Sequence, residues 1–62
     1  MANSRTAVFS ALITSELTEM RKIGMRVPDK AFLMAADQNE IAEYENMSVS
    51  EAADLLINLA DI

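Results

Sequence analysis

The basic side chains of this acidic chain are concentrated in one short stretch. Four of the five lie within ten residues: Arg21, Lys22, Arg26 and Lys30. If residues 22–27 form a β-strand, Lys22, Gly24 and Arg26 project from one side and three apolar side chains from the other. Two such strands, paired between two chains, would present four cations to the major groove of DNA. The competing interpretation places these cations in solvent, at the end of a helix and on the loop that follows.

The composition argues against catalysis. The chain has no Cys and no His, so no thiolate, imidazole base, disulfide or zinc site can be assembled. Its carboxylates, such as Glu40, Glu43 and Glu51, are interpreted as helix charges and caps. A chain of 62 residues also has little room for a closed pocket. We expect no enzyme activity, no metal, no cofactor and no small-molecule substrate.

Length and hydrophobic content together predict an oligomer. Residues 1–62 can form a single small domain, and 52% of them are hydrophobic. A domain of this size buries only about 60% of its unfolded surface and is marginally stable alone. We therefore expect a homodimer that completes its core with a second copy. No run approaches the ~20 apolar residues of a membrane helix, and no targeting segment is visible, which favours a cytoplasmic protein without a membrane partner.

Helical periodicity covers most of the chain. Residues 1–21 are predicted to form an N-terminal helix whose pattern extends to residue 23. Its apolar stripe is Phe9, Ile13, Leu17 and Met20, widened by Val8 and Leu12. The opposite face is predicted to carry Ser10, Thr14, Thr18 and Arg21. Gly24, the only glycine, fits either the residue just after this helix or the strand at 22–27.

Two further helical segments follow an extended stretch. Pro28 disfavours the helical conformation at Val27 and is typical of a helix start. Residues 29–47 are predicted as a helix with a polar waist at 37–40, or as two short helices with Asp37 capping the second. Residues 49–61 form the clearest helix, opened by a capping box of Ser48 and Glu51. This helix is so apolar that we expect it in a dimer core.

The order of these features resembles the ribbon-helix-helix family of DNA-binding repressors and antitoxins. The segment "MRVPDK" supplies the basic residue, apolar residue and proline that end the strand of that family. "IAEYENMSVSEAADLLINL" then supplies an apolar residue with alanine, a turn, and the Ser-x-Ser-Glu start of the last helix. The resemblance covers residues 22–60.

The resemblance implies a mainly α fold, with a short strand at 22–27, two helices, and here an extra N-terminal helix. Lys22, Gly24 and Arg26 would face the bases, and the backbone N–H groups of Ser48 and Val49 would hold a phosphate. The predicted dimer core comprises Ile23, Met25, Val27, Leu55, Leu56 and Leu59. The function would be that of a small dimeric DNA-binding transcriptional regulator, either a repressor or an antitoxin-type autorepressor acting on double-stranded DNA.

The alternative is an all-α bundle of three or four helices with a different function. Residues 31–62 carry seven carboxylates and no cation. An acidic helical protein of phage or plasmid type could use that surface to bind and inhibit another protein, for instance by mimicking nucleic acid. A purely structural oligomerisation module is a third hypothesis. The conformation of residues 22–27 discriminates, because only the first hypothesis needs them as an intermolecular strand.

Overall fold

Four α-helices account for the regular structure of residues 4–62, the part of the chain described by this computed structural model. They are α1 (Ser4–Lys22), α2 (Asp29–Ala36), α3 (Gln38–Ala42) and α4 (Val49–Ala60). No β-strand occurs in residues 4–62. The predicted ribbon-helix-helix fold with a strand at 22–27 is therefore wrong, and the all-helical alternative describes the architecture. Residues 1–3 of the predicted N-terminal helix lie outside the described residues.

The end of α1 explains why no strand forms. Gly24 has a φ of +95°, a left-handed conformation that glycine adopts without steric cost. Its N–H donates to the Arg21 carbonyl at 3.1 Å, and the Met25 N–H donates to the Met20 carbonyl at 3.0 Å. These two bonds form a Schellman ending and satisfy carbonyls that the last helical turn leaves without partners. Gly24 thus ends a helix, and residues 25–28 continue as an extended loop.

The predicted apolar stripe of α1 faces the core, with Ile13, Leu17 and Met20 buried and Phe9 packed against them, but the buried face is rotated from the predicted one at its edges. The buried residues recur at helical spacing: Thr6, Ser10, Ile13, Leu17 and Met20. Val8 and Leu12, predicted to widen the apolar stripe, are exposed. Ser10, predicted on the opposite face, is buried, and its hydroxyl donates to the Ala35 carbonyl near the end of α2. The hydrogen bond gives that carbonyl a partner where the helical ladder runs out.

Asp37 divides the predicted 29–47 helix into two short helices, one of the two forms expected. It follows the last residue of α2, and its N–H donates to the Met34 carbonyl at 3.1 Å. Its carboxylate accepts from the N–H groups of Asn39 at 3.0 Å and Glu40 at 3.4 Å, which caps α3. α3 ends at Ala42, and turns occupy residues 43–46.

The core closes within one chain. α4 begins at the predicted capping box, where Ser48 and Glu51 bond each other's backbone N–H groups. The core members are Ile13, Leu17, Met20, Val27, Ala31, Ala35, Ile41, Ala52, Ala53 and Leu56. Four of these ten are alanines, which let α2 and α4 lie close to their neighbours. Leu56, expected in a dimer core, is fully buried without a second copy.

Candidate interaction surfaces

The predicted base-contacting residues sit at a helix end and on a loop. Lys22 is the last residue of α1, and its ammonium lies 3.8 Å from the Glu19 carboxylate in an exposed ion pair. Gly24 is exposed and offers only backbone. Arg26 is exposed on the extended loop and makes no ion pair or hydrogen bond within residues 4–62. These residues form no continuous ribbon face.

Arg21 stabilises the turn between α1 and α2. Its guanidinium donates to the Val27 carbonyl and, at 3.0 Å, to the Asp29 carboxylate. The same group lies 4.6 Å from the centre of the Phe32 ring, within the range of a cation–π contact. Arg21 therefore joins the end of α1 to the start of α2, and part of the basic concentration noticed in the sequence is explained by the turn.

Of the two backbone N–H groups predicted to hold a phosphate, that of Ser48 is already engaged within the chain. The Ser48 N–H already donates to the Glu51 carboxylate at 3.4 Å, and the Ser48 hydroxyl accepts from the Glu51 N–H at 3.1 Å. Glu45, three residues before Ser48, is held by the Thr6 hydroxyl in the first turn of α1, at the end of that helix far from Lys22. Thr6 and Lys22 are separated by about 24 Å of helix. The structure does not bring Ser48 and Val49 together with Lys22 and Arg26.

The residues predicted for a dimer core are dispersed. Ile23 and Met25 are 75% and 44% exposed. Val27 and Leu56 are buried inside the chain, whereas Leu55 and Leu59 are half-buried on α4. Since two of the six already have intrachain partners, they offer no single apolar face for a ribbon dimer.

Cations and carboxylates are unevenly distributed along the chain, since all five cations precede residue 31. The two ion pairs in the described part of the chain, Arg21–Asp29 and Lys22–Glu19, both lie at the C-terminal end of α1. The seven carboxylates of residues 31–62 form no ion pair with any described residue. Three of them are exposed along one side of α4 and the residue that follows it, and are called the acidic face below: Glu51, Asp54 and Asp61.

Tyr44 titrates away from its ordinary pKa because of its contact with Glu40. The Tyr44 hydroxyl donates to the Glu40 carboxylate. This hydrogen bond, aided by burial and by the negative charges of Glu40 and Glu43, raises the pKa of Tyr44 from 10.0 to about 12. Glu40 is thus a hydrogen-bond acceptor within the fold, and we include neither residue in an interaction surface.

The outer side of α1 carries an apolar feature that the sequence interpretation missed. Val8 and Leu12, one turn apart, are 58% and 50% exposed. They border an open groove of about 340 Å³ that is lined by Arg5, Val8, Phe9, Leu12 and Glu45. The apolar arc from Val8 to Leu17 is wider than one core contact requires, and this width was the available signal.

Comparison of the chain with protein-family models, curated proteins and solved structures found no match. No helix in residues 4–62 has the length and apolar character needed to cross a membrane. Within the same residues, no group of three or more acidic side chains has an arrangement that could hold a metal ion. The surfaces described above are therefore interpreted from their own chemistry.

Proposed function

We propose that this chain is a small helical protein that binds a basic surface of another protein through the acidic face of α4, and inhibits that protein by covering the surface. The observation that supports this function is that Glu51, Asp54 and Asp61 form no ion pair with any described residue, in a half of the chain that has no cation. DNA binding stays a prediction, but the ribbon on which it relied is absent from residues 4–62.

The spacing along α4 suits a cationic partner. Glu51 and Asp54 are one turn apart, and Asp61 follows two turns later, so the three carboxylates span about 15 Å of one helix side. Glu51 also caps the helix, which fixes its carboxylate in place. A partner that places Arg or Lys side chains along a groove would pair with several carboxylates on one rigid element.

The five cations of the chain all precede residue 31, so none of them lies on α4. Electrostatic screening acts over about 8 Å at physiological ionic strength. Because α4 carries carboxylates and no cation, a partner that contacts the acidic face meets no basic side chain on this helix. The same reasoning predicts faster association at low salt.

Affinity capture with chemical crosslinking, in extracts of cells that encode the chain, tests this function. The test variant is Glu51→Gln/Asp54→Asn, and the control is Glu19→Gln/Glu43→Gln, which changes net charge by the same amount at exposed carboxylates outside α4. Glutamine preserves the capping box. A partner identified with wild type is then purified, and its binding is measured across a salt series. We expect about tenfold weaker binding for the test variant, ~1.4 kcal/mol, and little change for the control.

Equal loss in both variants would show that only net charge matters and would contradict the proposal. Equal retention in both would exclude the acidic face as the binding surface. Duplex DNA is the second probe in the same assay. If wild type binds DNA and Arg26→Gln/Lys30→Gln does not, the transcriptional-regulator hypothesis replaces this one.

A further inference from the structure

Arg5, Val8, Leu12 and Glu16 follow one side of α1 and are called the α1 strip. Arg5, Val8 and Leu12 are exposed and Glu16 is half-buried. Arg5 and Glu16 are eleven residues apart, which is three turns with only about 20° of rotation between them. Neither side chain has an ion pair or hydrogen bond within residues 4–62. The strip thus has a cation at one end, an anion at the other and two apolar side chains between them.

We infer that the α1 strip binds the α1 strip of a second copy, antiparallel and around a two-fold axis. An axis midway between Val8 and Leu12 places Val8 of each chain opposite Leu12 of the other. Arg5 then lies opposite residue 15 of the other chain, one position from its Glu16. Because a two-fold axis repeats each contact, two apolar contacts and two ion pairs form together.

Charge complementarity favours a second copy over an unrelated apolar segment. A parallel arrangement would place Arg5 beside Arg5 and Glu16 beside Glu16, which is unfavourable. Only the antiparallel arrangement pairs opposite charges, and it also opposes the two helix dipoles. The groove beside Phe9 gives room for side chains of the second helix. This pairing uses neither residues 22–27 nor α4, so it differs from the dimer predicted from the sequence.

The interface between two α1 strips is small, so we expect a weak dimer. Its apolar part is formed by Val8 and Leu12, whose side chains are already 42% and 50% covered within one chain. Loss of translational and rotational freedom opposes association, so an interface of this size gives a dissociation constant of roughly micromolar to millimolar. The dimer is expected to form and dissociate as the chain is concentrated and diluted.

Sedimentation equilibrium over a concentration series tests the pairing. We expect the wild-type chain to shift from monomer to dimer, and Leu12→Asp to remain a monomer. The matched control is Leu33→Asp on α2, where the side chain is 72% exposed and outside the strip. It should dimerise like wild type. Circular dichroism of each variant verifies that the helices are retained. A wild-type monomer at millimolar concentration, or equal loss in both variants, would overturn the inference.

A charge exchange tests the antiparallel geometry. Arg5→Glu and Glu16→Arg should each weaken dimerisation about tenfold, and the double variant should recover it. Mixing the two single variants should give a heterodimer in preference to either homodimer. Since residues 5 and 16 are about 16 Å apart within one chain, an intrachain pair cannot produce this rescue. A double variant as weak as the singles would overturn the pairing. Partner capture through the acidic face is a separate readout, so either idea can fail alone.

Discussion

Replacing Gly24 with alanine tests the assignment that resolved the fold. A Cβ at this position would meet no other atom within 4 Å, so the substitution causes no clash. The cost is backbone strain, because φ is +95° and an L-residue in the left-handed region loses about 1–2 kcal/mol. Alanine also restricts the unfolded chain, which recovers about 0.4–1 kcal/mol. We expect a net destabilisation of about 1 kcal/mol.

Thermal and urea unfolding, followed by far-ultraviolet circular dichroism, measures this difference. For a domain of this length, 1 kcal/mol lowers the melting midpoint by roughly 4–8 °C. Gly24→Asn is the matched control, since asparagine tolerates the left-handed region better than alanine, and we expect it to melt between the other two.

The sign of the change in melting midpoint distinguishes a helix ending at Gly24 from a strand over residues 22–27. In a strand, glycine is a weak residue, and alanine at the same position would leave the midpoint unchanged or raise it. A midpoint for Gly24→Ala at or above the wild-type value would therefore refute the helix-ending assignment. It would also reopen the ribbon interpretation of Lys22 and Arg26.

Two further predictions concern single side-chain contacts. Tyr44, the only tyrosine in a chain without tryptophan, should titrate near pH 12 in the folded protein and nearer 10 in urea or in Glu40→Gln, as followed by tyrosinate absorbance. Because the folded-state pKa is the higher one, this contact contributes its full stability below pH 10 and loses it as pH rises towards 12; a folded-state value near 10 would contradict the hydrogen bond. Arg21→Met should cost about 1–2 kcal/mol in urea unfolding, since it removes two hydrogen bonds and a ring contact from a half-exposed group. Lys22→Met, the control at an exposed ion pair, should change the free energy of unfolding by less than about 0.5 kcal/mol. Equal losses in the two variants would contradict a stabilising role for the Arg21 contacts.

Helix ends were the most predictable part of the fold because their signals are local. The capping box of Ser48 and Glu51 joins groups three residues apart, and α4 begins where it predicts. Asp37 caps α3 through bonds to the next two or three residues. Gly24 also had a local interpretation as a helix ending, and this interpretation is confirmed.

The strand was mispredicted because six alternating residues do not determine a strand. A ribbon requires a partner strand, and nothing within residues 22–27 specifies one. The same sequence fits a helix ending followed by an extended loop, with Val27 entering the core in either case. The family resemblance depended on this alternation and on the Ser-x-Ser-Glu helix start, which also opens a helix in an all-helical fold.

The rotation of α1 could not be read from periodicity alone. Its buried face includes two hydroxyl side chains, and their partners are distant in sequence. Thr6 donates to Glu45, 39 residues away, and Ser10 donates to Ala35, 25 residues away. These contacts turn Val8 and Leu12 outward, so the α1 strip became visible only in the folded chain.

The contacts of α1 also predict the order in which the parts of the chain fold. Arg21 reaches Val27, Asp29 and Phe32, all within eleven residues, so the turn between α1 and α2 closes a short loop. The bond from Thr6 to Glu45 closes a loop of 39 residues, at a higher entropic cost. We therefore expect folding to start at the basic turn and the N-terminal half of α1 to dock last. That half would exchange its amide hydrogens first in the native state, and pairing through the strip would slow the exchange there.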